Sequence, residues 1–275
     1  MPELPEVEVI RRGLVRELAG KRFTAVKVGT LSLRRQSTRE DLKTWTVGRR
    51  IQSLSRRGKY LLFHLEGGAI LLVHLGMTGR LLISPASRKP QAHVHVTFRL
   101  ENRLALHFQD VRRFGQILVY APGQTPEPLA LLGMEPLARS VTPRLLHTLT
   151  RGKRGPLKNF LIDGRVLAGI GNIYACEIMH AARLSPVMPV GCLSPSDCER
   201  LLRETRRILR QAIRRGGTTV SDFLNSRGET GLFQLDLQAY GREGAPCPGC
   251  GQPIARLTQA GRSTFFCPSC QRLRG

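Results

Sequence analysis

The feature that most narrows what this chain can fold into lies near its end: CPGCGQPIARLTQAGRSTFFCPSC, two C-x2-C pairs separated by sixteen residues. Each pair is a tight knuckle that turns two thiolates toward one point, and two such knuckles build a tetrahedral four-thiolate cage. Cys247, Cys250, Cys267 and Cys270 are therefore expected to hold one Zn2+. Four protein ligands leave no coordination position for water, which makes the metal structural. Between the knuckles, ARLTQAGRSTFF alternates as a hairpin with AGR at its tip, presenting Arg262 outward on a rigid finger.

Charge indicates what such a finger touches. The 275 residues carry 43 Lys and Arg against 20 Asp and Glu, a net charge of +23, and 36 of the basic residues are arginine. The excess is spread along the chain, 22 basic against 9 acidic residues up to position 121 and 21 against 11 beyond it. Arginine pairs bidentately with phosphate, so the expected partner is a polyanion, nucleic acid first. No apolar run of 18 residues and no signal-peptide pattern is present, so a cytoplasmic location and no membrane partner are expected. The remaining cysteines, Cys176, Cys192 and Cys198, sit in or beside helical stretches and read as reduced, partly buried thiols.

Periodicity divides the chain. Residues 5–18 repeat apolar side chains every three or four positions, as an amphipathic helix does. From 22 to 120 the sequence reads mostly as strands: FTAVKVG, GRRIQSLS, KYLLFHLE, AILLVHL, HVHVTFRL, RLALHF and QILVY, with hairpin turns at 66–68 and 101–103. Six or seven such strands suggest a β-sandwich. APGQTPEPLALLG reads as a linker, and beyond it the period is helical. In SPSDCERLLRETRRILRQAIRRGG, Ser196 and Glu199 have capping-box spacing, Leu201, Thr205, Ile208 and Ala212 share a face, and Gly216 ends the helix. GRVLAGIGNIYACEI places glycines directly before a helix starting near Asn172, where backbone N–H groups can meet phosphate.

The N-terminal MPELPEVEV admits two readings. One is a helix start, with Pro5 in the first turn and Glu6 and Glu8 at the positive end of the dipole. The other is chemical: with Met1 removed, Pro2 becomes a secondary amine beside a carboxylate. An α-amino group titrates near 8 and a lysine near 10.4, so its neutral fraction at pH 7 is roughly a hundredfold larger. The amine forms an iminium, a cationic electron sink suited to elimination from a sugar carbon, and Glu3 could shuttle protons. His74 and His107 alternate within strands and read as ordinary sheet residues on this evidence.

PELPEVE, RRGKYLL, HLGMTGRL, DVRRFG, GIGNIYACE, GGTTVSDF and the four-cysteine finger with Arg262 occur in order over essentially the whole chain. Together they resemble the formamidopyrimidine-DNA glycosylase family. The resemblance implies an α+β chain: a catalytic N-terminal helix plus β-sandwich domain over 1–121, a linker over 122–133, a helix-two-turn-helix domain over 134–238 and a zinc-finger hairpin over 239–275. It implies a monomeric enzyme that excises 8-oxoguanine and ring-opened purines from double-stranded DNA by base flipping, then cleaves the strand by β,δ-elimination. DNA would lie in a basic cleft between the domains. By the same resemblance, Pro2 is the nucleophile, Glu3 the general acid and base, Glu6 a supporting residue, and Lys59 an active-site lysine that contacts phosphate. His74 resembles a phosphate contact. Met77, Arg112 and Phe114 resemble the residues that fill the void left by the extruded base, with Arg112 facing the orphaned base. Lys158, Asn172, Tyr174 and Arg262 align with phosphate or site contacts, and residues 217–236 with a loop closing over the everted purine.

Two other functions compete. An endonuclease VIII-like glycosylase for oxidised pyrimidines starts closer to PEGPE, where this chain has Leu4 in place of that glycine. A non-catalytic zinc-finger nucleic-acid binder would explain charge and cysteines, but neither Pro2-Glu3 nor the intervening motifs.

Overall fold

The computed structural model describes residues 2–218 and 236–273. The chain forms two compact units, Met1–Ala130 with Arg215–Gln234 and Leu131–Arg214 with Leu235–Gly275.

The first unit opens with helix α1, Leu4–Leu18. Glu3 caps it in an extended conformation, Pro5 occupies the first turn, and Val7, Ile10, Leu14 and Leu18 form its buried stripe. Strands β1 (Phe23–Val28), β7 (Val94–Leu100), β8 (Leu104–Gln109) and β6 (Arg80–Pro85) form one sheet in the order β1-β7-β8-β6. Strands β2 (Arg35–Gln36), β9 (Gln116–Tyr120), β5 (Ile70–His74), β4 (Tyr60–Leu65) and β3 (Ile51–Arg57) form the other, in the order β2-β9-β5-β4-β3. Every pairing is antiparallel except the short β2–β9 contact. One core joins the α1 stripe to Phe23, Phe98 and Phe108 of the first sheet and Phe63, Leu71 and Ile117 of the second. This is the expected sandwich with an attached helix.

Three elements were not apparent from periodicity. Strand β6 buries only Leu81 among its six residues, which gives a weak alternation. Strand β2 is two residues long. Helix α2 (Arg39–Thr46) interrupts the run of strands and buries only Leu42 and Thr46. Its start was nevertheless encoded, since the Thr38 side chain accepts the Asp41 N–H at 3.0 Å. The outer face of the second sheet carries a small cluster, Leu62, Leu72 and Leu118, against which Leu129 packs. Leu129 lies in α3 (Glu127–Ala130), a turn of helix inside the segment expected to be a linker. Glu127 accepts the Tyr120 hydroxyl at 2.7 Å and pairs with Arg35.

The second unit is helical, with α4 (Pro143–Thr150), α5 (Leu157–Ile162), α6 (Asn172–Ala181) and α7 (Pro195–Arg214), followed by the hairpin β10 (Ala255–Gln259) and β11 (Arg262–Phe266). Leu201, Thr205, Ile208 and Ala212 of α7 are buried as its periodicity requires. Its start differs from the expected Ser196–Glu199 pair. The Ser194 hydroxyl accepts the Asp197 N–H at 3.1 Å, and the Asp197 carboxylate accepts the Ser194 N–H at 3.1 Å. Proline cannot donate an N–H, and it is well placed in a first helical turn, so the helix begins at Pro195 with Ser194 as its cap. Cys176 and Cys198 are buried as expected, whereas Cys192 is exposed as the last residue of the short 3-10 turn Val190–Cys192. Ser194→Ala should lower stability by about 1 kcal/mol in equilibrium urea unfolding, while Ser196→Ala leaves the midpoint near that of the parent chain.

Candidate functional site

Glu6 fixes the N-terminal residues. Pro2, Glu3 and Glu6 are all buried. One Glu6 carboxylate oxygen accepts the Glu3 N–H at 2.8 Å. The other accepts the Thr218 N–H at 2.9 Å and the Thr218 hydroxyl at 3.1 Å. Gly217 is in the left-handed region at φ +82°, and a Cβ there would lie 3.0 Å from the Glu6 carboxylate. The next turn of α1 is tied to β3. Glu8 binds Arg11, Arg12 and Arg56, and Arg11 also donates to the Leu54 carbonyl at 3.3 Å. Burial alone would raise the Glu8 pKa, but the hydrogen bonds and charges of these arginines pull it down to about 2.

Lys59 sits in the turn between β3 and β4, where Gly58 adopts φ +58°. Tyr60, next to it, pairs across β4–β5 with His74, and their rings lie 4.7 Å apart. The Gly76 N–H donates to His74 Nδ1 at 3.1 Å. Burial lowers the His74 pKa to about 4, and the charges of Lys59 and Arg34 push the same way. The ring is thus neutral at pH 7, and because Nδ1 accepts, its proton is on Nε2.

Met77 and Phe114 are exposed to 39 % and 41 %, so neither side chain belongs to the core of the unit. The Arg112 guanidinium stacks 4.8 Å from the Phe114 ring centre. Buried Asp110, which sequence reasoning passed over, organises both loops. It accepts the Gly115 N–H at 2.7 Å, the Arg112 N–H at 3.2 Å and the Thr78 hydroxyl. Thr78 Oγ1 also accepts the Arg112 N–H at 3.1 Å, which links the HLGMT loop to the DVRRFG loop. Asp110 is a short acceptor directly before turn residues, the available signal for such a role, but nothing local marked Thr78 as its partner. Gly76 sits at φ +59°, and a Cβ there would come within 2.5 Å of the Phe114 carbonyl carbon. A groove of about 370 Å³ runs beside these loops, lined by Ser32, Leu33, Arg34, Arg112, Arg113 and Phe114.

In the second unit, Lys158 is fully buried, and its ammonium donates to Thr264 Oγ1 at 2.6 Å and the Ser263 carbonyl at 3.2 Å. The Asn172 amide donates to the same Ser263 carbonyl at 2.9 Å. Tyr174 is wholly buried within the helical packing. The side chains of Lys158 and Tyr174 therefore lie in the interior, not on the surface where contacts with a bound strand were expected. Arg262 is exposed at the start of β11, after a turn in which Ala260 and Gly261 both have positive φ. Most of the expected closing loop, 219–235, lies outside the described residues.

The four cysteine sulfurs lie within 4.8 Å of one another. A tetrahedral zinc–thiolate cage, with Zn–S near 2.3 Å, has sulfur–sulfur edges of about 3.8 Å, so the donor set and its spacing fit Zn2+. A closed cage of this kind holds the metal structurally.

The Formamidopyrimidine-DNA glycosylase N-terminal domain family matches residues 1–117, the Formamidopyrimidine-DNA glycosylase H2TH domain family 132–224, and the zinc finger found in FPG and IleRS 244–273. The chain is 45 % identical over 272 residues to the formamidopyrimidine-DNA glycosylase of Geotalea uraniireducens, covering 98 % of this chain and 100 % of that one. It resembles the crystal structure of the MutM (Fpg) protein from Thermus thermophilus, with a TM-score of 0.89 and 41 % identity over 100 % of both chains. It also resembles Lactococcus lactis Fpg in complex with abasic-site DNA, with a TM-score of 0.91 and 33 % identity over 98 % of this chain and 99 % of that one.

Two outcomes are expected from the geometry. His74 binds its proton less readily folded than unfolded, so its stabilising contribution is full above about pH 6.5 and is lost as pH falls toward about 4. An NMR titration should give a His74 midpoint near 4, and His74→Gln should flatten that part of the stability profile. Gly76→Ala, forced against backbone, should destabilise the chain by about 1–3 kcal/mol in thermal unfolding and shift the amide resonances of 110–115.

Proposed function

Because the chain belongs to the formamidopyrimidine-DNA glycosylase family, we propose that its N-terminal amine, two buried glutamates and two apolar-tipped loops divide the family's reaction among them. The protein is a DNA glycosylase for oxidised purines with an associated abasic-site lyase activity. Its zinc is structural.

With Met1 removed, the Pro2 nitrogen attacks C1′ of the damaged nucleotide and the N-glycosidic bond breaks, its electron pair leaving with the base. Glu3, buried and adjacent, supplies a proton toward the sugar oxygen or the departing base. The amine proton is lost and the C1′–O4′ bond opens, its electron pair going to O4′, which is protonated; this leaves an iminium between Pro2 and C1′. The iminium acidifies C2′–H, and loss of that proton expels the 3′ phosphate from C3′; loss of the C4′ proton through the conjugated system then expels the 5′ phosphate from C5′. Glu6 accepts the Glu3 N–H and so sets where Pro2 and Glu3 point, which makes it a positioning residue. Lys59 and the Nε2–H of neutral His74 lie close enough to feel each other electrostatically and act as phosphate donors.

Met77, Arg112 and Phe114 fill the gap behind the everted nucleotide. Their exposure on loops locked by Asp110 and Thr78 supports this reading. Extruding a base loses a few kcal/mol of stacking, and an apolar side chain in the gap offsets part of it. Arg262 on its hairpin serves as a phosphate contact, and Lys158 and Asn172 support it by holding Ser263. Of the four second-unit residues expected at phosphate or site contacts, Arg262 is the exposed one, and the Tyr174 side chain contributes packing.

We further assign catalysis to 1–121 and DNA binding to 134–238 and 239–275, with 122–133 as the connection; the bounds of the matched family domains support this division. The chain would act as a monomer beside the nucleoid in the cytoplasm, since nucleophile, wedge and finger reside in one polypeptide. No helix among the described residues is long and apolar enough to cross a membrane.

The observation that carries the reading is the buried Pro2–Glu3–Glu6 cluster at the chain terminus. Borohydride added with duplex bearing 8-oxoguanine opposite cytosine should trap a covalent adduct, absent in Pro2→Gly and in protein that retains Met1. Stronger trapping on an oxidised pyrimidine than on 8-oxoguanine would favour the endonuclease VIII-like alternative. No adduct on any lesion or abasic duplex would leave only the binding function.

A further inference from the structure

Among the described residues, one imidazole faces the metal cage without being part of it. His180 lies in the last turn of α6, and its Nε2 is 3.3 Å from Cys247 Sγ. Cys247 is 2 % exposed, so this sulfur has little access to water. A zinc-bound thiolate carries no proton and can only accept, so the contact requires the ring to present its N–H at Nε2. We propose that His180 is a positioning residue for the zinc centre, donating from Nε2 to the Cys247 thiolate and fastening the cage to α6.

The chemistry of the cage gives the bond its weight. Four thiolates around Zn2+ leave two uncompensated negative charges, shared by the buried Cys247 and Cys267 with the more accessible Cys250 and Cys270, and hydrogen bonds from outside the coordination sphere stabilise that charge. Within the cage the Cys270 N–H already donates to Cys267 Sγ at 3.4 Å. His180 is a side chain from the helical part of the unit doing the same to Cys247, 67 residues away in sequence.

The bond also completes a two-ended attachment. The first residue of α6, Asn172, holds the Ser263 carbonyl of β11, and Lys158 of α5 holds Ser263 and Thr264. Beyond the far end of the helix, the Gln271 amide donates to the Leu184 carbonyl at 2.9 Å. His180 adds the metal site itself to that end. Retention of zinc thereby becomes coupled to the helix whose first turn supports the finger hairpin. Nothing in the four-cysteine spacing signals the residue, because the spacing describes ligands alone.

The test uses the full-length chain under reducing conditions. With Co2+ in place of zinc, losing a hydrogen bond to sulfur makes that thiolate more electron-rich. His180→Phe should therefore move the near-ultraviolet sulfur-to-cobalt charge-transfer band to lower energy while tetrahedral d–d bands persist. Zinc release to a chromophoric chelator should quicken by about 10- to 100-fold. His180→Gln, which can still donate, should restore much of both properties. Faster release with an unmoved band would reduce His180 to packing and overturn the proposal, as would an unchanged band and rate. Should His180→Phe fail to fold, 15N NMR of the zinc-loaded parent decides: a protonated Nε2 in slow exchange supports the assignment, and an Nδ1–H tautomer with bare Nε2 refutes it.

Discussion

The first unit depends on one buried carboxylate. Glu6 binds residue 3 with one oxygen and, with the other, residue 218, which lies 212 positions beyond Glu6 in the sequence. An acceptor buried this deeply would be destabilising without its donors, so the three hydrogen bonds and the burial stand or fall together. Because Glu6 lies in the first turn of α1, its anchoring propagates through the helix. One turn on, Glu8 locks to Arg56, and the apolar stripe from Val7 to Leu18 packs on both sheets. Pro2 and Glu3 inherit their placement from this chain of contacts.

The second unit uses a related device. Glu177 of α6 is buried, and its carboxylate accepts backbone N–H groups from Gln238, Ala239 and Tyr240 at 2.8–2.9 Å. Burial raises its pKa, against the lowering effect of those same bonds. The segment leading into the finger is thus held on α6 by one carboxyl group, as the hairpin is held by Lys158 and Asn172. Zinc closes the hairpin's base, and helices α5 and α6 hold its flank.

Much of this was legible from residues alone. Regular spacing carries over well to structure: the four cysteines, the 3.6-residue stripes of α1 and α7, and the long two-faced strands all appear where their periods put them. Short elements with one buried residue, such as β6, or a modest cap, such as α2, have too little pattern to stand out from neighbouring strands. The cap of α7 shows a finer limit, since SPSD offers two serines with an acid three residues later, and only the conformation around Pro195 selects Ser194. Side-chain placement was the least legible. Lys158 and Tyr174 occur in motifs that suggest a ligand surface, yet both are buried, because burial is decided by what packs from other parts of the chain. Asp110 with Thr78, and His180 with Cys247, are partnerships between distant segments, for which a linear pattern holds no period.

The joined loops around Asp110 carry a further consequence. Gly76 abuts the backbone of Phe114, Thr78 is bonded to Asp110 and to the Arg112 N–H, and Arg113 is held at φ +56°. The conformational entropy of these loops is lost once, when the chain folds, and not again at each encounter with a base pair. Were these loops to enter a base-pair step as proposed, they would do so with their shape already set, and the adjustment required for insertion would fall mainly on the DNA.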